Sequence, residues 1–371
     1  MKFKIILYLC ATLLIGCSSN NYLATDNTTD KYAAIFKKLI YEEKIPGIAV
    51  TVAKESGVIY SKGFGLANLE NRVPVNPRET RFRIGSTSKS LTAYAVALLY
   101  EQGKLDLDVP IQNYVPGFPE KGKGKITPRL LAGHLAGIRH YKPGVVELGS
   151  QKQYDTVADG LNIFRDDPLI SNPGDSFYYS SYGWNLLSAA VEGASNVPFL
   201  EFMQNEVFNP LGMDHTTADQ MNQVVPNRTG FYYLNDRVVL NGPPINQSYK
   251  WAGGGFLSTS EDLAVFGVAH LRKKGLKKET VNILWESQAN SNGEKTNYGI
   301  GWFIGKDSDG RHWVQHPGGT VGGTAFFRIY PEEGLVVSIL ANLSSAPLNE
   351  AAEKLISYLF ESEVGSDKAN K

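Results

Sequence analysis

The chain has 371 residues, 42% hydrophobic and 20% charged, an ordinary globular composition with apolar residues enough for a sizeable core in one enzyme of two subdomains or two modest domains. Its 37 Lys and Arg balance 37 Asp and Glu, so no strongly basic face is implied and nucleic acid is set aside as a partner.

Taken from the N-terminus, Lys2 and Lys4 precede an apolar run, Ile5 to Ile15, that ends in Leu14-Ile15-Gly16-Cys17. A charged start, a short apolar centre and small residues at the exit describe a secretory signal, too short to stay in a membrane as a spanning helix. The Leu-x-Gly-Cys ending resembles a bacterial lipobox. That resemblance implies removal of residues 1–16 and diacylation of Cys17; an ordinary signal with a chance cysteine is the alternative. Cys10 leaves with the signal, so one thiol remains and no disulfide forms within the chain. Acyl chains on Cys17 would hold the protein on a membrane, facing the periplasm. By the usual sorting rule of such lipoproteins, Ser18 after the cysteine points to the outer membrane. Residues 17–30 are polar and aperiodic and read as a tether.

The domain proper is expected over 31–361, with 362–371 as a tail. Lys31 to Glu43 has helical spacing. Gly47–Ala53 and Val58–Gly65 read as a hairpin about Glu55-Ser56-Gly57, and Leu66 to Thr80 as loop. Leu91 to Gln102 is apolar nearly all round, the pattern of a helix in the middle of a core, with Gly103 as its stop. Leu105 to Pro119 is turn-rich. Ile126 to His134 carries a short helix with Thr127 as N-cap and Pro128 in its first turn. Further helices are expected at Tyr154–Phe164, Tyr182–Ala194 and Phe199–Phe208. Short β-like runs follow at Thr229–Tyr233 and Arg237–Leu240, and a helix capped by Ser258-Thr259-Ser260 covers Asp262–Leu271. Strands return at Tyr298–Ile304, His312–His316, Gly323–Tyr330 and Gly334–Leu340, and a helix closes the chain at Leu348–Glu361. Strands at both ends with helices between them predict one sheet assembled from the two ends, with the helical middle inserted.

The chemistry centres on Arg83-Ile84-Gly85-Ser86-Thr87-Ser88-Lys89-Ser90, which holds the only Ser-x-x-Lys of the chain. Ser86 and Lys89 share a helix face. A lysine in an apolar site loses solvation, its pKa falls, and a neutral amine becomes a base for the serine hydroxyl. The helix N-terminus adds N–H groups where an oxyanion would form. Alone, the motif is equally a capping serine beside a lysine that snorkels to water. Three other stretches bear on the choice: Phe177-Tyr178-Tyr179-Ser180-Ser181-Tyr182-Gly183-Trp184-Asn185, Trp251-Ala252-Gly253-Gly254-Gly255, and His316-Pro317-Gly318-Gly319. No His-Glu-x-x-His is present to support a metal, and no Gly-x-Ser-x-Gly elbow. His134, His140, His215, His270 and His312 read as structural.

Together these stretches resemble the serine β-lactamase and penicillin-binding superfamily, in its class C and esterase-like branch, which includes animal mitochondrial members. The segments 127–141, 177–187 and 247–267 carry the likeness, which runs from about Lys38 to about Leu359. The resemblance implies an α/β (α+β) fold: an antiparallel sheet flanked by terminal helices, with an inserted helical subdomain. It implies Ser86 as the acylated nucleophile, Lys89 as the base and Tyr179 as the proton relay. The N–H groups of Ser86 and Gly319 would form the oxyanion hole, with Ser181, His316 and Gly318 facing substrate. Peptide, amide or ester substrates are expected, without a cofactor or metal. Three departures weaken the case for antibiotic hydrolysis: Ser181 stands where Asn is usual, Pro317 where Thr is usual, and His316, titrating near neutrality, where Lys is usual. Pro317 donates no N–H and is expected at a sheet edge. A penicillin-binding carboxypeptidase or β-lactamase is the alternative within this chemistry. A binding or filament-assembly protein is the alternative outside it, since animal members assemble into filaments.

Overall fold

The computed structural model describes residues 26–122, 124–142 and 147–369. The signal and Cys17 lie outside the described residues. Helix α1 (Asp26–Glu43) begins inside the expected tether. The hairpin follows as β1 (Gly47–Lys54) and β2 (Gly57–Asn68), then β3 (Val73–Pro74) and β4 (Phe82–Arg83). A 3₁₀ turn at Gly85–Thr87 runs into α2 (Ser88–Glu101).

Between α2 and residue 216 the described residues hold helices and no strand: α3 (Pro128–Ala132), α4 (Val157–Leu161), α5 (Ser181–Ser195) and α6 (Phe199–Phe202), which passes through a π-helical turn, Met203–Phe208, into α7 (Asn209–Leu211). This is the inserted helical region. Thr127 caps α3 through its side chain, and a Thr156–Asp159 capping box starts α4. Short pieces follow: β5 (Thr217–Ala218), β6 (Tyr232–Asn235), β7 (Val238–Asn241), α8 (Trp251–Gly254) and β8 (Phe256–Ser258). Then come α9 (Ser260–Leu271), capped by Thr259, and α10 (Lys278–Trp285), which the sequence pattern did not suggest. The chain ends with β9 (Phe303–Lys306), β10 (His312–Gln315), β11 (Gly318–Thr320), β12 (Gly323–Tyr330), β13 (Leu335–Ala341) and α11 (Leu348–Ala369). The expected strand over Tyr298–Ile304 starts only at Phe303. Gly301 has φ +77° and Tyr298, Ile300 and Trp302 are wholly buried, so this segment packs into the core instead of joining the ladder.

The main sheet has the order β3-β2-β1-β13-β12-β10-β9, antiparallel throughout, with β11 continuing beside β12. The two ends of the chain meet at its centre, where β1 pairs β13 with Val50 opposite Ile339. Side chains alternate between two faces. Ile48, Val50, Val52, Val337 and Ile339 join Phe36, Leu355 and Leu359 of the terminal helices, whereas Ala49, Ala53, Val336 and Leu340 join α2 and α9 on the other face. Helix α2 is buried on nearly every side, as its composition requires. Its core position brings the Ser86 turn to the edge of the sheet.

Candidate active site

The Ser86 turn is built by backbone geometry. In a 3₁₀ turn residues three apart eclipse each other, and Lys89 Nζ lies 3.1 Å from Ser86 Oγ. Ser86 remains partly exposed while Lys89 is fully buried. The helix start has no side-chain cap bond, so the capping serine with a snorkelling lysine is not what this segment forms. The hydroxyls behind Ser86 anchor the turn. Thr87 Oγ1 donates to the His316 carbonyl at 2.9 Å, Ser90 Oγ to Gly301 O at 2.8 Å and Thr92 Oγ1 to Ala252 O at 3.2 Å.

Lys89 Nζ also donates to Gly253 O at 2.5 Å and lies 3.1 Å from Ser181 Oγ. Burial, then the charge of Lys250, holds its pKa well below the ordinary lysine value. A neutral amine has two N–H bonds and one lone pair. The Gly253 carbonyl can only accept and takes one N–H; Ser181 Oγ can take the other; the lone pair is then left for the Ser86 hydroxyl proton. Ser181, expected on substrate, instead completes the shell of the lysine, and its burial follows from that position at the start of α5.

Tyr179 stands beside this pair. Its hydroxyl is close enough to Ser86 for the two to interact, and burial raises its pKa, so it remains a phenol. Lys89 Nζ is 4.9 Å from its ring centroid. The segment that carries it is held by two histidines: Ser180 N donates to His134 Nδ1 and Ser181 N to His140 Nδ1, each at 3.1 Å. Both rings must stay neutral to accept, and burial followed by Lys89 holds both below their usual range, His140 at about 4. These histidines position the backbone around Tyr179.

The opposite wall is β11. Gly85 has φ +49°, and a Cβ on it would meet Gly319 N at 2.6 Å; a Cβ on Gly318 would meet Ile84 O at 1.8 Å. Only glycine at 318 lets β11 lie this close to the turn, which brings the Gly319 backbone beside the residue preceding Ser86. Gly318, expected to face substrate, is buried and supplies this approach instead. His316 differs from expectation as well. Its Nδ1–H donates to Pro317 O at 2.8 Å and its Nε2 accepts from the Tyr298 hydroxyl at 2.9 Å. Burial, then Lys89, brings its pKa to about 3. It is a neutral, fully engaged ring, neither titrating near neutrality nor offering a free nitrogen to substrate. His316 N already points at β12 through Phe327 O, so the nitrogen of Pro317 faces the other side, where the β9 rungs have ended at Gln315–Phe303. Pro317 therefore sits on an open edge.

The structure thus brings Ser86, Lys89, Tyr179, Ser181 and Gly319 together, with His316 and Gly318 behind them. Sequence reasoning assigned no role to the Gly253 carbonyl, Tyr298, Tyr141 or Lys250. Lys250 was the most legible of these, as a lysine set directly before the Trp-Ala-Gly-Gly-Gly turn. Among the described residues no group of His, Cys, Asp and Glu side chains could hold a metal ion, and no helix is long and apolar enough to cross a membrane.

Comparison with known proteins agrees with this fold. The Beta-lactamase family profile matches residues 32–358. The chain is similar to the serine beta-lactamase-like protein LACTB, mitochondrial, of Homo sapiens, at 34% identity over 84% of this chain and 76% of that protein. Its fold is similar to the octameric penicillin-binding protein homologue from Pyrococcus abyssi, with a TM-score of 0.77 and 28% identity over 90% of this chain and 77% of that one. The D-amino acid amidase from Ochrobactrum anthropi SV3 shares the fold, with a TM-score of 0.78 at 20% identity over 90% of this chain and 99% of the amidase.

Proposed function

We propose that this chain, which belongs to the Beta-lactamase family, is a serine hydrolase that acts through an acyl-Ser86 ester on peptide, amide or ester substrates. The observation that carries the reading is a fully buried Lys89 amine 3.1 Å from the Ser86 hydroxyl. Ser86 Oγ attacks the substrate carbonyl and its proton passes to the Lys89 lone pair. The N–H groups of Ser86 and Gly319 receive the oxyanion, an arrangement whose donors contribute several kcal/mol in known cases. Collapse of the tetrahedral intermediate breaks the bond to the leaving group, which takes a proton relayed through the Tyr179 hydroxyl. Water then attacks the acyl-serine by the same route in reverse, returning the proton to Ser86.

Ser181 on the lysine, Pro317 on an edge and a neutral His316 leave the β11 wall without a cation for a β-lactam carboxylate. For the address, we retain removal of residues 1–16, lipidation of Cys17 and a periplasm-facing membrane anchor, supported by the Leu-Ile-Gly-Cys run. Loss of membrane association and of the lipid mass in Cys17→Ser is the expected result; unchanged mass would refute it.

The test of the hydrolase reading is intact mass of the soluble form, starting at Ser18, after a fluorophosphonate probe. One adduct on the wild type, absent from Ser86→Ala and strongly slowed in Lys89→Ala, is the expected outcome. Equal labelling of Ser86→Ala would refute it.

A further inference from the structure

Lys250 is a second buried lysine, beside the site, that this mechanism does not use. It is 2% exposed, and it caps the one-turn helix α8 whose Gly253 carbonyl holds Lys89. Its backbone is fixed there, because its own carbonyl accepts from Gly253 N at 3.1 Å and Gly254 N at 2.9 Å. Its ammonium lies 5.7 Å from the ring centroid of Tyr141 and 5.3 Å from that of Tyr249. The Tyr141 hydroxyl is close enough to Ser181 for the two to interact, and Ser181 is itself on Lys89. Lys250 is close enough to Lys89 and His140 for its charge to act on both.

No hydrogen-bond acceptor or carboxylate among the described residues holds this ammonium. The two acids whose charges bear on this wall are committed elsewhere. Asp219 takes Arg83 Nε at 2.6 Å and Arg228 at 3.3 Å, and Glu147 takes Arg139 at 3.0 Å and the Tyr182 hydroxyl at 2.9 Å. Close by in sequence, the side-chain amide of Gln247 is buried with neither its nitrogen nor its oxygen satisfied. A buried ammonium without a partner carries a large desolvation cost, and a pocket of one charge sign attracts the opposite one.

We infer that Lys250 is the substrate-recognition cation of this site, and that the substrates are anionic: peptides or esters with a carboxylate close to the bond that is cleaved. This rests on the hydrolase reading above and names its substrate class. A carboxylate laid against Lys250 would form a charge-assisted bond within a wall of Tyr141 and Tyr249 rings, and would place the scissile carbonyl near Ser86. The cation thus stands at the start of α8, whereas His316 before β11 is neutral.

The test uses matched esters. Mono-4-nitrophenyl glutarate and 4-nitrophenyl valerate differ by a carboxylate in the acyl part, and 3-carboxyphenyl valerate and phenyl valerate by one in the leaving group. The wild type is expected to favour the anionic member of at least one pair in kcat/KM by about tenfold or more, and Lys250→Met and Lys250→Gln to lose that ratio by a similar factor. Because the readout is a ratio, a general loss of rate in either variant cancels, and melting curves confirm that both fold. Lack of preference in the wild type, or a ratio unchanged in both variants, overturns the inference while Ser86 labelling leaves the hydrolase reading standing. Absence of both labelling and turnover overturns the hydrolase reading, and this inference with it.

Discussion

Replacing Gly318 with alanine tests whether the approach of β11 to the Ser86 turn builds the oxyanion site. The added Cβ would stand 1.8 Å from Ile84 O and 2.9 Å from Thr87 Oγ1. The first contact is with backbone, which has no rotamer to relieve it, so the strand and the turn must part by about 1–2 Å to reach an ordinary contact. Overpacking of this kind costs about 1–3 kcal/mol. The effect on rate should be larger than the effect on stability, because a misplacement of about 1 Å in a catalytic constellation can cost about a hundredfold. Gly319 provides the control for the fold, since a Cβ there meets nothing within 4 Å. Thermal melts should therefore show Gly319→Ala near wild type and Gly318→Ala lower by several degrees. The Ser86 phosphonylation rate and 4-nitrophenyl valerate turnover should fall about a hundredfold in Gly318→Ala. A Gly318→Ala protein that labels and turns over within about threefold of wild type would refute the reasoning, because the oxyanion donors would then not depend on this close contact.

Lys89→Met keeps the shape and removes the base, so labelling of Ser86 should fall by about 10²–10⁴; a smaller loss at neutral pH would assign the base elsewhere. With Lys89 pKa lowered and Tyr179 raised, the wild-type labelling rate should fall only on the acid side, as Lys89 gains its proton. Lys250→Met removes a charge that lowers Lys89, so this acid limb should move to higher pH in a pH–rate profile. Lys250 itself is brought to about 7 by burial first and by Arg83 second, against Asp219. The preference for anionic esters should accordingly be strongest below about pH 7 and decline above it, a trend absent from Lys250→Met. Stability should also fall in acid. His140, His270 and His316 are neutral in the fold down to about 4, 4 and 3, whereas an unfolded histidine gains its proton near 6.5. Between those values the unfolded chain binds more protons, so stability rises with pH by up to about 1.4 kcal/mol per unit for each group. Denaturant melts from pH 4 to 7 should show that slope, and His270→Gln, remote from Ser86, should reduce it.

The element order was legible because local signals carry it. Thr127 and Thr259 cap their helices as hydroxyls do, the hairpin turns at Glu55-Ser56, and the apolar Leu91–Leu99 run is a core helix. Where such signals fail, the cause is tertiary. Tyr298–Trp302 has a strand's composition, but its wholly buried path and the left-handed Gly301 take it out of the ladder. The pairing of β1 with β13 was suggested only as two ends of one sheet; its register depends on side chains far apart in the chain.

At the site the same division holds. The spacing of Ser86 and Lys89 is a property of three residues of helical backbone, so it can be read from the chain alone, as can the absence of an exposed face on the helix that follows. What Lys89 is chemically cannot be read that way. Its lowered pKa comes from being enclosed, and its partners Gly253 O and Ser181 Oγ arrive from segments 164 and 92 residues further on. His316 shows the same limit most plainly: a lone histidine suggests a group near neutrality, but Tyr298 and the Pro317 carbonyl occupy both nitrogens and burial suppresses the charge. Spacing along a chain sets which groups can meet, whereas desolvation and hydrogen-bond partners, which set their charge, exist only once distant segments have packed.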